Sequence, residues 1–205
     1  MTQTAAMRHL PNALTIGRIL ITPVVLVLLL TPTLAAQAGA FALFILASVS
    51  DWLDGRLARQ MGAHSRLGTF LDPLADKILV LGTFIIIAVK HPHLAPWWAV
   101  FLIAARDAGV TGLRVWAESR GATLETLAAA KAKTLSQLIY LLAMLLLFTL
   151  AQMPGDVGAM VSAFLADSLV PLLALYIVVI LTVGTGLLYA YRYYYSSNYS
   201  RTPTS

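Results

Sequence analysis

The chain is 205 residues long, 59% hydrophobic and 11% charged, with a mean hydropathy of +0.80. Soluble domains carry about a quarter charged residues, so a large aqueous domain is excluded and one integral membrane domain over residues 1–205 is expected. Cysteine is absent, which rules out disulfides and thiolate metal sites, and the net charge of +5 is too dispersed for a nucleic-acid partner.

Residues 1–10 lack the apolar stretch and small-residue cleavage site of a signal peptide, and Arg8, as their sole cation, does not make a transit peptide. Residues 10–12, with Pro11, read as the opening of a short N-terminal interfacial helix. Six apolar stretches follow, near 14–30, 38–57, 67–89, 96–116, 128–151 and 165–189, each of about 20 residues and long enough to cross a bilayer as a helix. The expected fold is all-α with six transmembrane helices. The connections alternate in charge. Residues 31–37 carry none, 152–164 carry only Asp156, and Lys90 is the one cation of 90–95. The other 13 of the 14 Lys and Arg residues, from Arg8 and Arg18 to Arg192 and Arg201, fall on the opposite side. The positive-inside rule makes that side cytoplasmic and puts both termini there. Tyr189, Tyr191, Tyr193, Tyr194, Tyr195 and Tyr199 resemble an interfacial aromatic belt. His91 and His93, in a short external loop without a neighbouring carboxylate, read as surface histidines.

Four of the nine acidic residues, Asp51, Asp54, Asp72 and Asp76, stand at the inner ends of the second and third crossings. A carboxylate at the bilayer centre costs about 2.5–3.5 kcal/mol, less near the interface, so four in one hairpin imply a polar cavity and a ligand. Asp51, Asp54, Gly55 and Ala58 recur at i, i+3, i+4 and i+7, one helical stripe with two carboxylates and two positions almost without side chain. Such a face can hold a cation and let a ligand approach the backbone. Gly68, Asp72 and Asp76 recur at i, i+4 and i+8, drifting about 80° around the axis. Pro73 is expected to bend or unwind the first turns of that helix. Small-residue helix packing is the plainer use of Gly55, Ala58 and Gly68, and the two uses are compatible.

Clustered carboxylates without His or Cys are hard oxygen ligands, suited to Mg²⁺, Mn²⁺ or Ca²⁺ rather than zinc or copper. Four like charges repel, so the site should assemble around metal. Mg²⁺ is usually shared with phosphate oxygens, and Arg56, Arg59, Ser65 and Arg66 in the intervening turn suit a phosphorylated ligand. A metal pair could clamp a pyrophosphate and stabilise a leaving phosphate.

The run Asp51-x2-Asp54-Gly55-x2-Ala58-Arg59-x8-Gly68-x3-Asp72-x3-Asp76 resembles the signature of the CDP-alcohol phosphotransferase family at every fixed position. The similarity extends along most of the chain and is closest to the bacterial phosphatidylglycerophosphate synthases. It includes Leu10-Pro11-Asn12-Ala13-Leu14-Thr15-Ile16-Gly17-Arg18, with Pro23 beyond. Gly68 through Lys77, Ala105-Arg106-Asp107, Leu113-Arg114-Val115-Trp116 and Ala130-Lys131-Ala132-Lys133-Thr134 also match. Two departures stand out: Asp107 occupies a position where Glu is expected, and the residue before Lys131 is more often Gly.

The resemblance implies a six-helix, usually homodimeric protein of the bacterial inner membrane, with a site open to the cytoplasm and laterally to lipid. Asp51, Asp54, Asp72 and Asp76 would ligate two divalent cations, Mg²⁺ or Mn²⁺, with Asp76 also the general base. Asn12, Thr15, Gly55, Ala58, Arg59, Ser65 and Gly68 would contact the CDP-lipid. The implied reaction moves the phosphatidyl group of CDP-diacylglycerol to sn-glycerol 3-phosphate. The acceptor's phosphate needs cations, and Arg106, Arg114, Lys131 and Lys133 are the candidates, Arg106 being furthest into its apolar segment. Positive-inside anchoring and an Arg114–Glu118 helical pair are the plainer use of these charges. Lys131 and Lys133 point about 160° apart on a regular helix, so both should not face one ligand. Other acceptors (inositol phosphate, serine, phosphatidylglycerol) remain open, as does a divalent-cation transporter, which would leave the Gly, Ala and Arg positions unexplained. A purely structural membrane protein has no use for the carboxylates.

Overall fold

Apolar segments that leave water must close their backbone hydrogen bonds internally, and this chain does so with helices. A computed structural model describes the backbone of residues 3–61, 66–119 and 128–199, and side chains within 17–51, 77–117, 119 and 132–194. Seven helices run through these residues: α1 Gln3–Leu30, α2 Leu34–Met61, α3 Arg66–Lys90, α4 Trp97–Ser119, α5 Ala128–Ala151, α6 Asp156–Asp167 and α7 Val170–Tyr199. Leu34–Asp51, Ala132–Ala151 and Val170–Tyr194 are long and apolar enough to cross a membrane, and Gly17–Leu30 is a shorter apolar run. At 1.5 Å per residue, a 20-residue segment such as Ala132–Ala151 reaches about 30 Å, the depth of a bilayer's hydrocarbon core. The chain is an all-helical integral membrane protein.

Three expectations change. The separate interfacial helix at 10–12 is absorbed into α1, which is continuous from Gln3; Ala5, Ala6 and Met7 are strong helix formers and carry the helix upstream of Pro11. The connection 152–164 is largely helical, and the last long helix starts at Val170 rather than 165. Gly155, with φ of +85°, turns the chain into α6, whose first turn carries Asp156, a favourable charge at a helix N-terminus. At 12 residues, α6 spans about 18 Å and is too short to cross. Finally, α3 is one helix through Pro73, so no unwinding occurs there.

The helix α1 packs on α2 and α3, α5 on α2, α3, α6 and α7, and α4 on α3 and α7. Phe44, Phe84, Ile103, Leu141, Leu145 and Leu175 are almost fully buried at the centre. Leu20, Val27, Leu46, Phe101, Ile139 and Ile180 point outward, an apolar surface that suits lipid rather than water.

The two ends of the bundle differ. At one, Thr33 Oγ1 accepts from Ala36 N at 3.3 Å and caps α2. Carbonyls at and just beyond the end of α1 are satisfied there by side chains: Gln37 Nε2 donates to Leu29 O and Thr31 O at 3.2 and 2.8 Å, and Lys90 Nζ donates to Leu29 O at 3.0 Å. The other end holds Asp51, Lys77, Arg106, Asp107 and Lys133.

Candidate active site

On α2 and α3 the helical backbone is continuous through 51–58 and through 68–76. Asp51 and Asp54 therefore share one helix face, and Asp72 and Asp76 lie about one turn apart on another. Of the acidic quartet, only the side chain of Asp51 is described. Arg18 of α1, its side chain 1% exposed, donates to Asp51 Oδ1 at 2.8 Å. The Asp51 side chain is 44% exposed, and its carboxylate is a hard oxygen donor of the kind Mg²⁺ or Mn²⁺ takes. Asp54, Gly55, Ala58, Arg59, Ser65, Gly68, Asp72, Asp76, Asn12, Thr15 and Lys131 fall outside the described side chains.

The described part of the site is a charged network among α3, α4, α5 and α7. Its hub is Asp107. Lys133 of α5, 95% buried, donates to both Asp107 oxygens at 2.6 and 2.8 Å, and Arg106 Nη1 reaches Oδ1 at 3.2 Å. Lys77 of α3 donates to the Asp107 carbonyl at 3.4 Å and to the Thr111 hydroxyl. Arg106 also crosses to α7, where its Nε donates to Thr182 O at 3.1 Å and its Nη2 to Thr185 Oγ1 at 2.9 Å. Gln137 of α5 donates to Thr182 Oγ1 at 3.3 Å, closing the ring. A Cβ on Gly186 would lie 2.8 Å from Arg106 Cγ, so a glycine is what lets the arginine stem pass α7.

Ionisable groups this deep among apolar helices are costly and face a partner or a ligand. Among the described residues, Arg106 and Lys133 share the one carboxylate of Asp107, while Lys77 is bonded only to uncharged oxygens, so a cation here can also meet an anionic ligand. The structure thus brings Arg106 and Lys133 together on one carboxylate. Arg114 lies on α4 eight residues beyond Arg106, and its Nε is sealed from solvent with no hydrogen-bond partner among the described residues. The Arg114–Glu118 pair lies outside the described residues, because the Glu118 side chain is not among them.

Sequence reasoning missed Lys77, Gln137, Thr182 and Thr185. The signal was there: Thr182 and Thr185 sit three apart inside an apolar run, and Gln137 interrupts another. Polar residues inside such helices usually bond across an interface.

Residues 8–183 match the family described as CDP-alcohol phosphatidyltransferase. A CDP-diacylglycerol–glycerol-3-phosphate 3-phosphatidyltransferase of Bacillus subtilis is 36% identical over 212 residues, covering 97% of this chain and all of the relative. The enzyme of that name from Escherichia coli K12 is 32% identical over 138 residues, or 65% of this chain and 74% of its own. One from Arabidopsis thaliana is 34% identical over 145 residues, covering 64% of this chain and 62% of the plant protein.

Proposed function

Because the chain belongs to the CDP-alcohol phosphatidyltransferase family, we propose that it transfers the phosphatidyl group of CDP-diacylglycerol to sn-glycerol 3-phosphate, giving phosphatidylglycerophosphate and CMP. It is a membrane transferase of phospholipid synthesis. The observation that carries the choice of acceptor is the Asp107 network. An acceptor with its own phosphate needs fixed cations beside the reacting hydroxyl, and Arg106 and Lys133 are two cations held in place on one carboxylate, that of Asp107. Full-length similarity to the Bacillus subtilis enzyme, whose name gives that acceptor, supports the reading.

In this mechanism Asp51, Asp54, Asp72 and Asp76 would hold two divalent cations. When bound, the cations neutralise charge on the diphosphate and on departing CMP. Arg18 orients Asp51 through their ion pair. Asn12, Thr15, Gly55, Ala58, Arg59, Ser65 and Gly68 seat the CDP-lipid. Arg106 and Lys133, with Arg114 and Lys131, bind the acceptor's phosphate and aim its free hydroxyl. Asp76 takes that hydroxyl's proton as its oxygen forms a bond to the lipid-side phosphorus. The bond from that phosphorus to the CMP oxygen breaks, and CMP leaves with the electron pair.

The same reading gives six crossings, α1 to α5 and α7, with both termini and the site on the cytoplasmic side of a bacterial inner membrane. The α6 helix lies at the opposite surface, and the chain acts as a homodimer. The deciding experiment supplies purified protein with labelled CDP-diacylglycerol and a panel of acceptors. CMP release with sn-glycerol 3-phosphate, and little with inositol phosphate, serine or phosphatidylglycerol, is expected. Faster turnover with another acceptor would replace the assignment, and metal flux into liposomes without CMP release would indicate a transporter.

A further inference from the structure

Far from the Asp107 network, at the end of the bundle where α1 meets α2, lies a pocket of about 240 Å³. It opens between the ends of α1, α3 and α5 and the start of α2, and α6 covers one side of it. Its wall is apolar on the bundle side, with Leu29, Ile87, Phe148 and Leu165. Its polar groups are Gln37, Lys90, His91, His93, Gln152 and Ser162, with no carboxylate in the lining.

The charge balance there is one-sided. Lys90 Nζ donates to Leu29 O and Leu30 O at 3.0 and 3.4 Å. Those bonds use two of an ammonium's three hydrogens, and neither acceptor carries a charge. Among the described residues Lys90 forms no ion pair. His91 is half-buried, its ring stacked on Phe148 with centroids 4.8 Å apart, and His93 meets it edge-on at 5.9 Å. One cation, Lys90, and two imidazoles with N–H groups to donate thus share one apolar-walled pocket whose lining holds no carboxylate. A desolvated cation of this kind is stabilised by a charge-assisted hydrogen bond from an anion. The loop 91–96 is also firmly built, with Leu94 N and Ala95 N both bonded to His91 O at 2.9 and 3.1 Å, so the imidazoles are presented on a fixed turn.

We propose that this pocket binds the phosphate of an anionic phospholipid, with Lys90 and the His91–His93 pair on the phosphate and the apolar wall against its glycerol and upper acyl carbons. The ligand chemistry is a phosphate ester joined to hydrocarbon. A membrane presents such lipids at high local concentration, and the apolar wall has no use in binding free phosphate. The site is separate from the transferase site, and the inference does not depend on which acceptor that site takes.

The test uses the full chain purified in an uncharged detergent, with native mass spectrometry and thermal unfolding as readouts. Phosphatidylglycerol, phosphatidylcholine and inorganic phosphate are titrated against wild type, Lys90→Gln and His93→Glu. Wild type should bind phosphatidylglycerol more tightly than phosphatidylcholine, and each variant should weaken phosphatidylglycerol by about five- to tenfold. Lys90 also caps α1, so if Lys90→Gln fails to fold, the exposed His93→Glu decides by itself. Unchanged phosphatidylglycerol affinity in the variants would overturn the proposal. So would inorganic phosphate alone reproducing the full rise in Tm, since hydrocarbon would then play no part.

Discussion

Lys133 of α5 and Asp107 of α4 face each other at 2.6 and 2.8 Å through both carboxylate oxygens, with the lysine almost wholly buried. The contact fixes the spacing of two helices and gives a buried lysine a carboxylate partner among apolar neighbours. Its electrostatic weight is large because little water reaches it.

Asp107→Asn should therefore destabilise the protein. Breaking a buried pair costs about 3–5 kcal/mol, and the lower end applies here because Asp107 is partly exposed and Arg106 loses only one of its partners. Thermal unfolding in detergent should show a clear fall in Tm. The double variant Asp107→Leu/Lys133→Met, which removes the lysine's charge with its partner and leaves Arg106 its bonds to Thr182 and Thr185, should recover part of it. An unaltered Tm in Asp107→Asn would mean that the pair carries little of the fold.

Gly186→Ala tests the placement of Arg106. The new methyl would come within 2.8 Å of Arg106 Cγ, and the stem would have to leave its bonds to Thr182 and Thr185. With Arg106 on the acceptor's phosphate, the apparent KM for sn-glycerol 3-phosphate should rise several-fold while the KM for CDP-diacylglycerol holds. Arg106→Ala should do the same more strongly. An unchanged acceptor KM in both variants would remove Arg106 from the site.

Much of the architecture was legible in the sequence because lipid imposes one rule on every segment: apolar, helical and about 20 residues long. The start of α4 at Trp97 and the end of α5 at Ala151 fall within a residue of the expected 96 and 151. The connection after α5 was harder to read, since Val157, Val161 and Leu165 could equally have belonged to a loop or to the following crossing. Its helical state depends on Gly155 adopting positive φ and on Gly158 fitting beneath the preceding turn, neither of which leaves a hydropathy signal. At the site, the spacing of Asp51 and Asp54 foretold a shared helix face. That Asp107 would gather Lys133 and Arg106 could not be read, because it depends on which helices pack together. Spacing within a segment carries no information about its neighbours.

Gly158→Ala is the sharpest packing test. A Cβ there would stand 1.9 Å from the Met153 carbonyl oxygen, rigid backbone that cannot swing aside. The turn between α5 and α6 would have to open, and a cost of about 1–3 kcal/mol is expected, as for overpacking elsewhere. Protease sensitivity near 152–156 should increase with the fall in Tm. Catalysis at the far end should change little per folded molecule. A wild-type Tm would show that α6 does not sit on that turn.

His91 makes stability depend on pH. Burial, then the charges of Lys90 and His93, hold its pKa below the ordinary value of 6.5. The unfolded chain therefore takes up a proton near pH 6.5 that the folded chain refuses. Stability is full above that pH and falls as the pH drops from 6.5 through the lower folded value, below which the loss levels off. His91→Phe, which keeps a ring against Phe148, should flatten the profile of Tm against pH between about 7 and 5. If the two profiles stay parallel, another group sets the slope.

Asp76 is assigned both a place among the metal ligands and the proton-accepting step, and the two roles separate by titration. Asp76→Asn keeps the size of the side chain and one oxygen but cannot take a proton. If the base role dominates, kcat should fall by about 10²–10⁴-fold, and raising Mg²⁺ or Mn²⁺ should not restore it. If the residue only helps hold metal, excess cation should recover most of the rate, as the remaining Asp51, Asp54 and Asp72 fill their sites at higher concentration. Chelation of wild type should abolish CMP release in either case and be reversed by adding Mg²⁺ or Mn²⁺. Tm in the absence of metal should match wild type or rise slightly, because on the proposed site the substitution would remove one of four like charges. Recovery of wild-type kcat at saturating metal would move the general base to another residue while leaving the acidic quartet as the cation site.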